Sequence, residues 1–202
     1  MMLRLLASAA LLTTLFTLVV VGIRLQPTDH LAASFFGDCA APCWDGIEAG
    51  STARSDALAH LKTLGWNLQG DCNAAVYDSC DDFTRDDSAQ EAFVYVQADQ
   101  VIEIAIFNAG FTVGDVWLDY GAPEAPGIAP NSSALAFLNT SLWFDRAKIS
   151  THFNLPCPSP FADVLRAPID SLLVWTPGTA MEGTVTGTLA DLRRQFHQAC
   201  GL

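Results

Sequence analysis

Charge is scarce in this 202-residue chain, where Asp, Glu, Lys and Arg together make up 16%. Soluble domains usually carry about a quarter. With half of the residues hydrophobic, this argues against long disordered stretches and for one domain, or two small lobes sharing a core. Basic charge is scarcer still. Arg4 and Arg24 are two of only ten Lys and Arg, and no acid precedes Asp29, so from Gln26 onward eight basic residues stand against 22 acidic ones, net −14. Such a surface repels phosphate backbones and anionic headgroups, so nucleic acid is not an expected partner. Catalytic signatures are missing too: Gly-x-Ser-x-Gly, His-Glu-x-x-His, a phosphate loop and a dinucleotide fingerprint are all absent. No cofactor and no metal is expected.

What is present begins with an uncharged run, Leu5 to Ile23, between Arg4 and Arg24. Nineteen residues just suffice to cross a bilayer and exceed the usual apolar stretch of a signal peptide. Residues 1–25 therefore read as a transmembrane anchor, with a cleaved signal as the rival, since Val20-Val21-Gly22 offers small residues for processing. Cys39 follows Phe36-Gly37-Asp38, which is no lipoprotein box. Either way the acidic remainder is expected outside the cytoplasm, because Arg4 and the amino terminus favour the inside. The partner this implies is the membrane, through the N-terminal segment.

Six cysteines fit that address. An even number in an exported chain predicts a disulfide framework, although six cysteines allow about 15 connectivities. Proximity suggests Cys39 with Cys43 and Cys72 with Cys80, leaving Cys157 with Cys200 as a long-range staple worth about 3–4 kcal/mol. Zinc could use the Cys39–Cys43 spacing, but a closed site needs four ligands and an oxidising compartment favours disulfides.

Beyond a tether over 26–38, Ser51 or Thr52 is placed to cap a helix whose stripe is Ala57, Leu58, Leu61 and Leu64, ended by Gly65. The stretch from Gly70 to Glu91, with seven carboxylates and one arginine, reads as an acidic loop. Two strands follow, "AFVYVQA" and "QVIEIAIF", joined at Asp99, with Val94, Val96, Ile102, Ile104 and Ile106 expected inward. Alternation then sends Phe93, Tyr95, Val101, Glu103 and Phe107 to the other face. "AGFTVGDVWLDYGAP" repeats the grammar of "AGSTARSDALAHLKTLG" 60 residues on. In each, glycine allows a tight turn, threonine caps free amides and a second glycine supplies a left-handed exit. Further strands are expected near Ala134–Leu138, Leu142–Ser150 and Ser171–Trp175, a short helix near Phe161–Leu165, and a final helix from Thr188 to Ala199. The expected fold is α+β, with two related lobes, 39–110 and 111–202, each a short helix on an antiparallel sheet, stapled by disulfides.

Gly50, Thr52, Leu64 and Gly65, and then Gly110, Thr112, Val116, Tyr120, Gly121 and Pro123, carry a resemblance. The pattern resembles the repeat of the outer-membrane assembly lipoproteins (SmpA/OmlA, BamE-like) and the β-lactamase-inhibitor-protein-like group. "PCWDGIEAGST" is similar to the opening of exported bacterial proteins with Pro-Cys-Trp-x-Gly-Ile-x-x-Gly-x-Thr. The resemblance covers about two fifths of the chain and implies a helix-on-sheet layer used for protein contacts in the cell envelope rather than a catalyst. The lipidation cysteine of those lipoproteins is absent.

The candidate contact residues are Phe93, Tyr95, Glu103 and Phe107, because aromatics on a sheet face not closed by helices would make an interaction patch; the alternative is that the second lobe or the C-terminal helix covers them. A secreted or tethered hydrolase is the alternative. His30 lies in the tether, His60 and His197 on helices and His152 at a strand end, and a triad of His152, Asp145 and a serine is its one conceivable constellation. Calcium or another cationic ligand is the third reading, from Asp78, Asp81, Asp82, Asp86 and Asp87. An EF-hand loop started at Asp78 or Asp82 has neither the glycine nor the closing glutamate. Asn131-Ser132-Ser133 and Asn139-Thr140-Ser141 are read as chance sequons that mark surface turns.

Overall fold

Alternation of apolar and polar residues writes most of the architecture. The computed structural model describes residues 36, 39, 42–72, 77–86, 88–130, 137–157, 161–176 and 189–199. The Leu5–Ile23 run lies outside them. Among the described residues no helix is long and apolar enough to cross a membrane.

A two-residue hairpin, β1 (Cys43–Trp44) and β2 (Ile47–Glu48), precedes α1 (Arg54–Thr63). Four strands follow: β3 (Trp66–Asp71), β4 (Ser79–Arg85), β5 (Glu91–Gln97) and β6 (Gln100–Phe107). The order then repeats with α2 (Val113–Tyr120), β7 (Ala125–Pro130), β8 (Phe137–Phe144), β9 (Ile149–Pro156), a 3₁₀ turn (Phe161–Arg166) and β10 (Ser171–Trp175). The final helix, α3 (Leu189–Ala199), lies against β7. This is a sheet-rich α+β fold. All strands from β3 onward share one antiparallel sheet in the order β3-β4-β5-β6-β10-β9-β8-β7. Each run of four strands starts at an outer edge and ends at the centre, where β6 pairs with β10.

Both helices begin alike. Gly50 and Gly110 take positive φ, +94° and +79°, a conformation that side chains resist. Thr112 caps α2 in a capping box with Asp115. At α1 the expected cap is displaced: Ala53 holds the position, and Thr52 Oγ1 instead accepts the Glu48 N–H. Gly65 and Gly121 supply the left-handed exits at +85° and +82°. Each helix start is stitched to the central pair of strands or its lead-in, Ala53 bridging Gln100 and Thr112 bridging Pro168.

One face of the sheet is closed by α1, α2 and the 3₁₀ turn. Ala57 and Leu61 of α1, Val113 and Val116 of α2 and Val164 of the 3₁₀ turn share a core with Val94, Val96, Ile104, Ile106, Leu142, Ile149, Phe153, Leu172 and Val174. Trp44 lies wholly inside it, edge-on to Trp66 at 5.2 Å, and Phe36 meets Tyr120 edge-on at 5.8 Å.

Five expectations are corrected. The Gly70–Glu91 stretch is not a single loop, since it contains the end of β3 and all of β4. Asp81, Phe83 and Arg85 take one face of β4, and the buried Asp81 is neutralised by Arg54. Val101 points inward and is fully buried, because the ladder skips Ile102 in a bulge between Tyr95 and Val96. That extra residue reverses the alternation at the start of β6 and leaves Ile102 half-buried. Residues 134–136 of the first expected strand lie outside the described residues; the strands here run from Phe137 to Phe144 and from Ile149 to Pro156, with the hairpin turn over 145–148 rather than a strand across 142–150. Asn139 therefore lies on a strand rather than a turn, and His152 lies within β9 rather than at a strand end. Residues 131–133, the other sequon, fall outside the described residues.

Disulfides join Cys39 to Cys43 and Cys72 to Cys80. Cys157 is also in a disulfide, and its expected partner Cys200 lies outside the described residues. The first bond clasps the lead-in to buried Trp44, and the second closes the β3–β4 connection.

Candidate functional site

The opposite face of the sheet follows from the register alone. Directly paired residues share a face, which sorts the side chains into cross-strand rows. One row runs Glu91, Phe107, Ser171, His152, Ser141; the next runs Phe93, Ala105, Leu173, Ser150, Trp143; a third runs Cys80, Tyr95, Glu103, Trp175. The rows cross the β6–β10 junction without a break, so residues from both halves of the chain make one surface.

The expected contact residues come together there. Phe93 and Phe107 stack at 5.1 Å and Tyr95 meets Tyr77 at 4.8 Å. Phe93, Tyr95, Glu103 and Phe107 are all half-buried, as the mutual packing of these rings gives. The Tyr77 hydroxyl donates to Glu103 Oε2 at 2.7 Å. Burial raises the Glu103 carboxyl above its ordinary value, and the hydrogen bond from Tyr77 draws it part of the way back. Burial also raises the phenols of Tyr95 and Tyr77, the latter further through its bond to Glu103.

Beyond the junction lie residues that the sequence did not single out for contact. Half-buried Leu173 continues the apolar band to Trp143, whose ring meets the His152 ring edge-on at 6.5 Å. Trp175, beside Glu103, is buried. His152 Nδ1 and Ser141 Oγ are 2.8 Å apart, while His152 Nε2 is buried without a hydrogen-bond partner. Burial lowers the His152 imidazole below its ordinary value. These positions were legible only through pairing: nothing in the strand around Ser141 announces that it faces His152.

Asp145, the third member of the conceived triad, is elsewhere. It sits in the β8–β9 turn, paired with Lys148 at 2.7 Å, and its amide donates to Glu124. The acidic residues offered for calcium are likewise dispersed. Asp81 and Asp82 lie on opposite faces of β4, Asp81 is held by Arg54, and Asp78 Oδ2 accepts the Ala98 N–H at the β5–β6 turn. Among the described residues no cluster of three or more His, Cys, Asp or Glu is arranged to hold a metal ion. No protein family, curated protein or solved structure matches the chain.

Proposed function

We propose that the chain is an extracytoplasmic protein-binding or scaffold module of the bacterial cell envelope, without catalytic activity, that meets its partner through the face of its sheet opposite α1 and α2. One observation carries this reading: Phe93, Phe107, Leu173 and Trp143 stay half-exposed on one face of the sheet, while among the described residues α1, α2 and the 3₁₀ turn close the other. Contiguous apolar surface of this kind is the mark of an interaction site, and aromatic rings supply contact area at small entropic cost. The disulfides support an oxidising compartment, and the Leu5–Ile23 run supports delivery to it, as an anchor or a cleaved signal. The repeated order of one helix and four strands, with matched glycine turns, supports two related lobes and the resemblance to the BamE-like and inhibitor-like repeats.

Photo-crosslinkers in place of Phe107 or Leu173, and in place of Ser55 on the helix side, test the reading in native envelope. A discrete adduct from the first two positions and none from the third is expected; equal labelling from both faces sinks it. Phe93→Ala with Phe107→Ala should weaken the same capture without unfolding the domain.

A second reading, a hydrolase, has the Ser141–His152 contact in its favour. It ranks lower because Asp145 is held by Lys148 in the β8–β9 turn and His152 Nε2 has no partner to orient the ring. Turnover of ester or peptide substrates abolished by Ser141→Ala would promote it.

A further inference from the structure

The two outer edges of the sheet are built differently. β7 carries Pro126 and Pro130, which have no N–H to offer, and α3 lies against it; both are recognised ways of blunting an edge. β3 has no proline, its one such device being the bulge between Leu68 and Gly70, and among the described residues no strand pairs with its outer side. An edge strand of this kind presents a row of backbone N–H and C=O groups ready to pair. Beside it, on the helix side, lies a groove of about 310 Å³ lined by Leu58, Lys62, Trp66, Leu68 and Phe83 among others. Leu68, at its rim, is 54% exposed.

We infer that β3 is a self-association edge, where a second copy of this chain pairs antiparallel about Leu68 so that the sheet continues from one subunit into the other. The charges favour this occupant. Asp71, at the end of β3, lies 3.9 Å from Arg54 of its own chain but keeps 86% of its side chain exposed, and Lys62, at the end of α1, is an exposed cation on the groove. Setting Leu68 opposite Leu68 of the partner subunit brings the partner subunit's Asp71 beside Gly65, at the end of α1 that carries Lys62. The two-fold axis repeats that contact, giving two opposite-charge contacts in a chain that is otherwise strongly acidic. The operation matches one the fold already performs, since β6 and β10 join its own two halves by antiparallel pairing. With the axis perpendicular to the sheet, both helix layers stay on one side and the two opposite faces run on into each other. The bulge between Leu68 and Gly70 twists the strand and keeps the shared ladder short. The interface is therefore at the small end of specific contacts, and the dimer depends on concentration.

Sedimentation of the full chain in a mild detergent tests this, together with charge swaps. The wild type is expected to move from monomer towards dimer mass as concentration rises. Leu68→Lys, a charge on the edge, should hold it monomeric with an unchanged thermal melt. Lys62→Glu and Asp71→Lys should each loosen the dimer by about tenfold, because two symmetric contacts become repulsive, and their combination should restore it. Restoration separates pairing through β3 from association through the apolar N-terminus, which neither change touches. A Leu68→Cys chain should form a covalent dimer where Leu118→Cys, 83% exposed on α2, does not. A monomer at every concentration, failed restoration, or equal crosslinking at both cysteines overturns the inference.

Discussion

Arg54 on α1 grips Asp81 on β4. Its Nε donates to Asp81 Oδ2 at 2.8 Å while a second guanidinium nitrogen reaches Oδ1. The carboxylate is 1% exposed and the guanidinium 35%, so the charge most in need of company is the acid. This two-pronged contact fastens the first helix over the most acidic strand of the sheet.

Breaking the grip from one side is therefore expected to be costly. Arg54→Met should destabilise the domain by up to about 3 kcal/mol, since it strands a buried carboxylate. Adding Asp81→Leu should recover most of that, because an apolar pair of similar size removes the stranded charge. Urea midpoints for the single and double variants check this; a neutral Arg54→Met would mean that the contact carries nothing.

Much of this was legible in the sequence, and the misses have physical causes. The glycine-threonine grammar located both helices, and the two-residue turn at Ala98 and Asp99, both at positive φ, was visible as a break between two apolar runs. The final helix and β10 were located by apolar spacing. β4 was missed because its inward residues include Asp81 and Arg85, whose burial depends on Arg54 and Trp66, far away in sequence. β7 was missed because prolines and glycine hide an edge strand. The face holding Phe93, Tyr95, Glu103 and Phe107 followed from alternation. Its continuation to Leu173, Trp143 and His152 required the β6–β10 pairing, which no local pattern encodes.

Gly114 sits inside α2, where glycine ordinarily costs about 1 kcal/mol relative to alanine. A Cβ there would lie 2.7 Å from the Leu165 carbonyl oxygen, a backbone atom that cannot swing aside. Gly114→Ala should therefore destabilise the domain by about 1–3 kcal/mol by prising α2 off the 3₁₀ turn, although propensity alone predicts a gain. A stabilised alanine variant in a thermal melt would show that the approach is looser than it stands.

Glu103 should make the domain less stable as pH rises. Its folded carboxyl titrates above the ordinary 4.5 because of burial, so between 4.5 and that raised value the folded chain holds more protons than the unfolded one. Stability falls as pH climbs through this window, and the deficit persists at neutral pH. Glu103→Gln keeps an acceptor for the Tyr77 hydroxyl and removes the charge. The variant should exceed the wild type in denaturant resistance near neutral pH and match it at about pH 4. Equal curves at every pH would show that Glu103 is as well solvated folded as unfolded.

His152 should act in the opposite direction and in a higher range. Burial lowers its folded value below the ordinary 6.5, so between that lowered value and 6.5 the unfolded chain holds more protons. The stability contributed by the neutral ring is complete above 6.5 and lost as pH falls through the folded value. Its described neighbours in the row, Ser141 and Ser171, and the Trp143 ring carry no carboxylate to compensate an imidazolium. His152→Asn, which can still bond Ser141, should lose less stability than the wild type on acidification from about pH 7.5 to 5.5. The ring protons of His152, followed by NMR, should titrate with a midpoint under 6.5. A midpoint at or above that value would mean that the ring is open to water, and with it the part of the face that Trp143 covers.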